Sequence, residues 1–278
     1  MIVDAHAHVF LARTDDPQRT VDAIAPADRA APVGELLTTM RASGVDRAVL
    51  LPLGPEDGYV AAVLRDHPDT FRGIAVDDPD EPNVVDVLAR VRDGGFSGLR
   101  MFALPEGDRE RWSRLVAGLA DLGAVLWMYP RPDDVDAVAT VAARHPQLRI
   151  VLNHSGLCQA GIGVDATGRP RIAAPVPQPS AAAVAALARH DNVAVVLSGA
   201  YAFSREPYPY ADIAGHVRMM AGAFGPARLL WASDFPWILD DPGYAALLDL
   251  VDHHLPGLSA GDRAAVLGDN CRRLLWES

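Results

Sequence analysis

The chain has 278 residues, 50% of them hydrophobic and 22% charged, with a net charge of −11 from 36 acidic against 25 basic side chains. Scattered basic residues on an acidic chain argue against nucleic acid or an anionic membrane as partner. No apolar run approaches the roughly 20 residues of a membrane span, and two cysteines, Cys158 and Cys271, make no disulfide framework. The first residues lack the basic and apolar regions of a secretory leader. The expectation is a reduced, cytoplasmic protein, one domain over residues 1–278, acting on a small molecule, with assembly into a homo-oligomer left open.

Ile2–His8 opens the chain as a strand. Side chains alternate across a strand, so Val3, Ala5, Ala7 and Val9 are predicted on one face and Asp4, His6 and His8 on the other. A strand with an apolar outer and a polar inner face suits a barrel wrapped in helices with chemistry at its mouth. Further strands are predicted at Arg47–Leu51, Phe71–Val76, Gly98–Met101, Ala124–Tyr129, Arg149–Asn153, Val193–Leu197 and Leu229–Ala232.

Amphipathic helices alternate with them at Val33–Ser43, Gly58–Asp66, Asn83–Arg92, Asp108–Leu122, Asp133–His145, Ser180–Arg189, Ala211–Phe224 and Tyr244–His254. Gly44 and Gly123 close two of these helices and Pro82 opens a third. Ala260–Trp276 reads as one or two C-terminal capping helices. Eight strand–helix units favour a distorted (β/α)8 barrel, an α/β fold that typically takes about 250 residues. No glycine-rich phosphate loop follows a strand, against a nucleotide-binding open sheet.

Three connections, 11–32, 157–179 and 201–210, exceed the usual few residues, and all leave carboxyl ends of strands, where barrel enzymes keep their sites. Within the second, Asp165–Arg169 is predicted as a hairpin turn. The third offers Tyr201, Phe203, Tyr208 and Tyr210 as substrate walls.

The topology sorts the nine histidines. His67, His145 and His190 end helices, where imidazole suits the helix dipole. His216, His253 and His254 lie in helices and read as structural or surface residues. His6, His8 and His154 instead fall at carboxyl ends of strands, as does Asp234 in Trp231-Ala-Ser-Asp-Phe-Pro-Trp237. Strands one and eight are neighbours in a closed sheet, which brings Asp234 towards His6 and His8. Two imidazoles and a carboxylate suit zinc or a similar divalent ion, or a metal-free acid–base cluster. Arg100 ends strand four on the same face, its forked guanidinium matched to a substrate carboxylate or carbonyl. A salt bridge stitching loops is the alternative.

At these residues the chain resembles the amidohydrolase superfamily, in the branch of pyrone-dicarboxylate lactonases, fuconolactonase-like proteins and aminocarboxymuconate-semialdehyde decarboxylases. The matching motifs are Asp4-Ala-His-Ala-His8, Phe71–Asp77, Gly98-Leu-Arg100, Asn153-His-Ser-Gly156, Leu197-Ser-Gly199, Ser233-Asp-Phe-Pro236 and Asp269–Leu274. The resemblance implies a distorted (β/α)8 barrel with water chemistry at its mouth. Tyr129 stands where the decarboxylases carry a metal-binding histidine, Val196 where the lactonases often carry lysine, and Asn153 in place of the usual aspartate. The extra arginines of the pyrone lactonases are not evident, since Ala202 follows Tyr201.

The expected activity is hydrolysis of a lactone or related cyclic ester. Asp234 would activate water, His154 would stabilise the oxyanion or protonate the leaving oxygen, and Arg100, Tyr129 and Tyr201 would contact a substrate carrying a carboxylate. A divalent ion, zinc foremost, is expected on His6, His8 and Asp234, with a metal-free site as the alternative. Rival readings are a non-oxidative decarboxylase, a barrel that binds a small molecule without turnover, and, least favoured, thiol catalysis by Cys158.

Overall fold

The computed structural model describes residues 1–81, 83–102 and 109–277. The expected helix starts at Pro82 and Asp108 lie outside the described residues. Eight parallel strands form the sheet: β1 (Val3–Ala7), β2 (Arg47–Leu50), β3 (Phe71–Val76), β4 (Gly98–Met101), β5 (Val125–Met128), β6 (Arg149–Leu152), β9 (Val193–Leu197) and β10 (Leu229–Trp231). Their spatial order follows the chain, apart from a separate antiparallel hairpin, β7 (Ile162–Val164) and β8 (Pro170–Ile172). The barrel closes through a parallel bridge between Ala7 and Phe235, with His8 N–H donating to Phe235 O at 2.9 Å and Asp234 N–H to His6 O at 2.9 Å.

Helices α1 (Val33–Ser43), α2 (Gly58–Asp66), α3 (Val84–Asp93), α4 (Arg109–Asp121), α5 (Val135–Arg144), α6 (Ala181–Ala186), α8 (Ala211–Phe224) and α9 (Ala246–His254) follow the strands, and a short α7 (Ala200–Phe203) sits after β9. Their apolar stripes share one cluster with Ala48, Leu50, Leu126, Leu152 and Val195 of the strands. The alternate strand residues, Val49, Leu51, Ile74, Val125, Trp127, Val151, Val196 and Leu230, fill the barrel interior. The C-terminal stretch is α10 (Ala260–Ala264), a π turn over Ala265–Asp269 and α11 (Asn270–Leu275), whose Cys271 and Leu275 join the interior cluster and plug it.

Strand β1 departs from strict alternation. Asp4 pairs with Ala48 and Ala7 with Leu50, so three steps on β1 face two on β2, the count of a bulge. Val3 and Ala5 therefore belong to the interior cluster and Ala7 and Val9 to the outer one. Asp4 consequently parts from the histidines. Its carboxylate accepts from Ser233 N–H (2.9 Å), Ser233 Oγ, Tyr244 Oη (2.7 Å) and His6 N–H (3.2 Å). Burial pushes its pKa up to about 6 against these four donors.

Candidate active site

His6 and His8 leave the end of β1 side by side, their Nε2 atoms 3.0 Å apart. His8 Nδ1 lies 2.7 Å from the Leu51 carbonyl, which only accepts, so Nδ1 carries the proton and Nε2 a lone pair. Asp234 arrives from the turn after β10 with φ 63°, a left-handed conformation held by Ser233 on Asp4 and by its own N–H on His6 O. Its Oδ1 lies 3.7 Å from His6 Nε2 and 3.6 Å from His8 Nε2. Its Oδ2 accepts from Tyr201 Oη at 2.8 Å, so the Tyr201 hydroxyl is committed to Asp234.

His154 enters from the turn after β6. Residues 154, 155 and 156 all have positive φ (47°, 57° and 70°), so three left-handed residues in succession swing its ring over the barrel mouth. Ser198 Oγ lies 3.0 Å from His154 Nδ1, and His216 Nε2–H donates to Ser155 O at 2.9 Å. Gly199 lies so close that a Cβ there would sit 2.7 Å from His154 Nδ1. The His154 ring centroid is 5.4 Å from that of His6 and 4.9 Å from that of Tyr129.

Burial holds two of the imidazoles neutral: His6 is lowered well below its usual value, with the neighbouring His8 adding to the effect, and His154 falls to about 4. Burial would raise Asp234, yet its contacts with His8, His154 and His6 hold it well below the usual carboxylate range. Asp234 is thus the anion of the cluster. Arg100 is 5% exposed, its guanidinium 4.4 Å from the Phe102 ring centroid and its Nε without a hydrogen-bond partner. Burial lowers it to about 10, leaving a cation at neutral pH.

These groups converge on one cavity of about 240 Å³, lined by His8, Arg100, Tyr129, His154, Tyr201 and Asp234 among others. His6 lies beneath it with no exposure. His6, His8, Arg100, Tyr129, His154, Tyr201 and Asp234 are thus gathered here, with Phe203 beside them. Tyr208 and Tyr210 are not in this lining; Tyr208 Oη instead donates to Ala246 O. Cys158 is buried, and burial raises its thiol above the usual range, which leaves no thiolate for catalysis.

The sequence reading gave no role to Ser198 or Trp237, and it took His216 as structural or surface, which its buried bond to the Ser155 carbonyl bears out. Trp237 stacks edge-on against His8 with ring centroids 4.9 Å apart. His216 shares the buried face of α8 with Ile213, Val217 and Met220, a helical spacing that marks it as interior.

The three donor atoms of His6, His8 and Asp234 lie within 4.8 Å of one another. A tetrahedral zinc with ligands at roughly 2.0–2.1 Å has edges of about 3.3–3.4 Å, which the separations of 3.0, 3.6 and 3.7 Å bracket. His8 has the carbonyl partner on its far nitrogen that metal-bound imidazoles use, whereas His6 Nδ1 has none. The triangle fits one divalent ion.

The family model "Amidohydrolase" matches residues 3–275. The chain belongs to the amidohydrolase family. This amidohydrolase is 28% identical to L-fucono-1,5-lactonase of Burkholderia ambifaria, over 84% of the chain and 80% of the relative. It is 26% identical to 4-sulfomuconolactone hydrolase of Hydrogenophaga intermedia, over 99% and 88%. Among solved structures it resembles a candidate 2-pyrone-4,6-dicarboxylic acid hydrolase from Pseudomonas putida, with TM-score 0.77, 25% identity and 99% and 97% coverage.

Proposed function

We propose that this amidohydrolase opens a lactone or related cyclic ester by adding water, acting as one domain over residues 1–278. The observation that carries the reading is the convergence of one buried carboxylate, three imidazoles and a guanidinium whose Nε has no partner at and just beneath a single cavity. The lactone-opening names of the relatives support the same class.

In this reading Asp234 takes a proton from water as the oxygen adds to the ring carbonyl. His6 and His8 hold that water and the carbonyl oxygen. His154, neutral and with Nδ1 accepting from Ser198 Oγ, presents Nε2–H to the developing oxyanion and then to the leaving ring oxygen. The proton on Asp234 returns to that oxygen as the C–O bond breaks, giving the open hydroxy acid. Arg100 holds a substrate carboxylate, and the Tyr129 hydroxyl, buried without a partner, offers a further donor. A preorganised base and oxyanion donors of this kind contribute roughly 10²–10⁴-fold and 10²–10³-fold respectively.

A divalent ion, zinc by its donor set, would be held by His6, His8 and Asp234, where it would polarise the carbonyl and acidify bound water. Tyr129 at the place of a fourth protein ligand speaks against the decarboxylase reading, whose expected product is carbon dioxide. The decisive experiment assays lactones, cyclic esters and carboxylated aromatics for acid release and for carbon dioxide, with added zinc, manganese or chelator. Ring opening that disappears in Asp234→Asn is expected; carbon dioxide as the product, or no turnover on any ring, overturns the proposal.

A further inference from the structure

The cavity also carries information about what surrounds the reacting ester. We infer that the substrate is a lactone bearing a single acid group on an otherwise hydrocarbon body, and that polyhydroxylated and doubly acidic lactones are rejected. The inference rests on the lactonase reading and adds the chemistry of the ring substituents to it.

Beyond the catalytic cluster the wall is apolar: Ile24 and Leu53 on one side, Phe102, Ile172, Phe203 and Trp237 around the rest. Two further polar side chains reach it, each with one polar atom engaged with backbone. Asp22 Oδ1 accepts from Ile24 and Ala25 N–H at 3.0 and 2.8 Å, and the Gln159 amide N–H donates to Tyr129 O. Most ring hydroxyls of a sugar lactone would therefore face hydrocarbon and replace little of the water they lose.

Charge limits the substrate from the other side. Arg100 is the one arginine or lysine in the lining among the described residues. It forms no ion pair with them, although the Asp234 charge acts on it, and its buried Nε waits unpartnered. Two arginines lying over lining rings are already held: Arg169, over Tyr201, by Asp241 at 2.7 Å, and Arg29, over Trp237, by the carbonyls of Ile24 and Gly168 at 3.1 and 2.9 Å. One guanidinium neutralises one carboxylate. A second acid group would be buried without a counter-charge, close to the Asp22 carboxylate at the rim.

Hydrocarbon walls discriminate against one added hydroxyl by about 10² in kcat/KM, so a ring carrying several should fall at least that far. The test compares phenylparaconate, a γ-lactone with one carboxylate and one phenyl group, with its methyl ester, L-fucono-1,5-lactone and 2-pyrone-4,6-dicarboxylate. Phenylparaconate is expected to exceed each of the other three by about 100-fold or more in kcat/KM, and Arg100→Met to bring it within a few-fold of its methyl ester. Equal or better turnover of the sugar lactone or of the dicarboxylate overturns this inference and leaves the lactonase reading standing. If no ring opens, the lactonase reading fails. Calorimetric titration of Asp234→Asn with the same four compounds then decides the pocket's preference: binding of phenylparaconate at least about 100-fold tighter than the others upholds it, and comparable affinities overturn it.

Discussion

The Tyr201 hydroxyl donates to Asp234 Oδ2 across 2.8 Å, with both groups buried in the barrel mouth. This bond leaves Oδ1, 3.6–3.7 Å from the two Nε2 atoms, as the oxygen that faces water and substrate. A hydrogen bond to a buried charge is worth roughly 1.5–3 kcal/mol. In Tyr201→Phe the carboxylate loses that donor, so its pKa rises. The acid limb of the pH profile of kcat/KM should move upward, while thermal unfolding shows a folded barrel. An unmoved limb would mean that Tyr201 serves only as wall.

The barrel and the gathering of most candidate site residues at its mouth were legible in the chain because each strand is a short apolar run between amphipathic helices. Histidines and acids at carboxyl ends of strands stand out against that pattern. What was not legible depends on two elements at once. The bulge in β1 is a mismatch of count between β1 and β2, and no property of Asp4-Ala-His alone shows that Asp4 turns away from His6. The same holds for Tyr208, whose hydroxyl is taken by Ala246 of α9, and for His216, which matters only once α8 meets the turn at Ser155.

Asp234→Asn keeps the shape of the side chain and removes the anion. Turnover on the true substrate should fall at least about 100-fold, the lower range for a positioned general base. Circular dichroism and unfolding temperature should remain near those of the wild type, since Tyr201 can still donate to the amide oxygen. Near-normal turnover in a folded variant would remove Asp234 from the role of base.

Zinc binding can be read without activity. If His6, His8 and Asp234 hold the ion, added zinc at about 100 times its Kd stabilises the fold by about 2.7 kcal/mol. For a chain of this size that is a rise of several degrees in unfolding temperature. His8→Ala should abolish the rise, and chelation should reverse it in the wild type. An equal response in both proteins would place the ion elsewhere.

Gly199 tests how closely His154 must be held. Its φ is +71°, and an added Cβ would lie 2.7 Å from His154 Nδ1, so Gly199→Ala meets both a strained backbone and the imidazole. The backbone strain alone costs roughly 1–3 kcal/mol. The ring must also leave Ser198, and with it the orientation of Nε2. We expect a lower unfolding temperature and a drop in kcat of about tenfold or more, with little change in KM. Ser198→Ala should reproduce part of the kcat loss through the freed ring alone.

His154 also makes stability depend on pH in a defined direction. Burial lowers its pKa from 6.5 to about 4 in the folded protein. Between these values the unfolded chain binds a proton that the folded chain refuses, so stability is present above 6.5 and lost as pH falls towards 4. From pH 7 to pH 5 the loss from this group is about 2 kcal/mol. Asp4 acts oppositely: its pKa rises from 3.8 to about 6, so its contribution weakens as pH increases through that window. Denaturant titrations of wild type and His154→Gln at both pH values isolate the His154 contribution, since the variant retains Asp4, His6 and the other titrating groups. The wild type should lose about 2 kcal/mol more than the variant on acidification, and parallel losses would show that His154 titrates alike in both states.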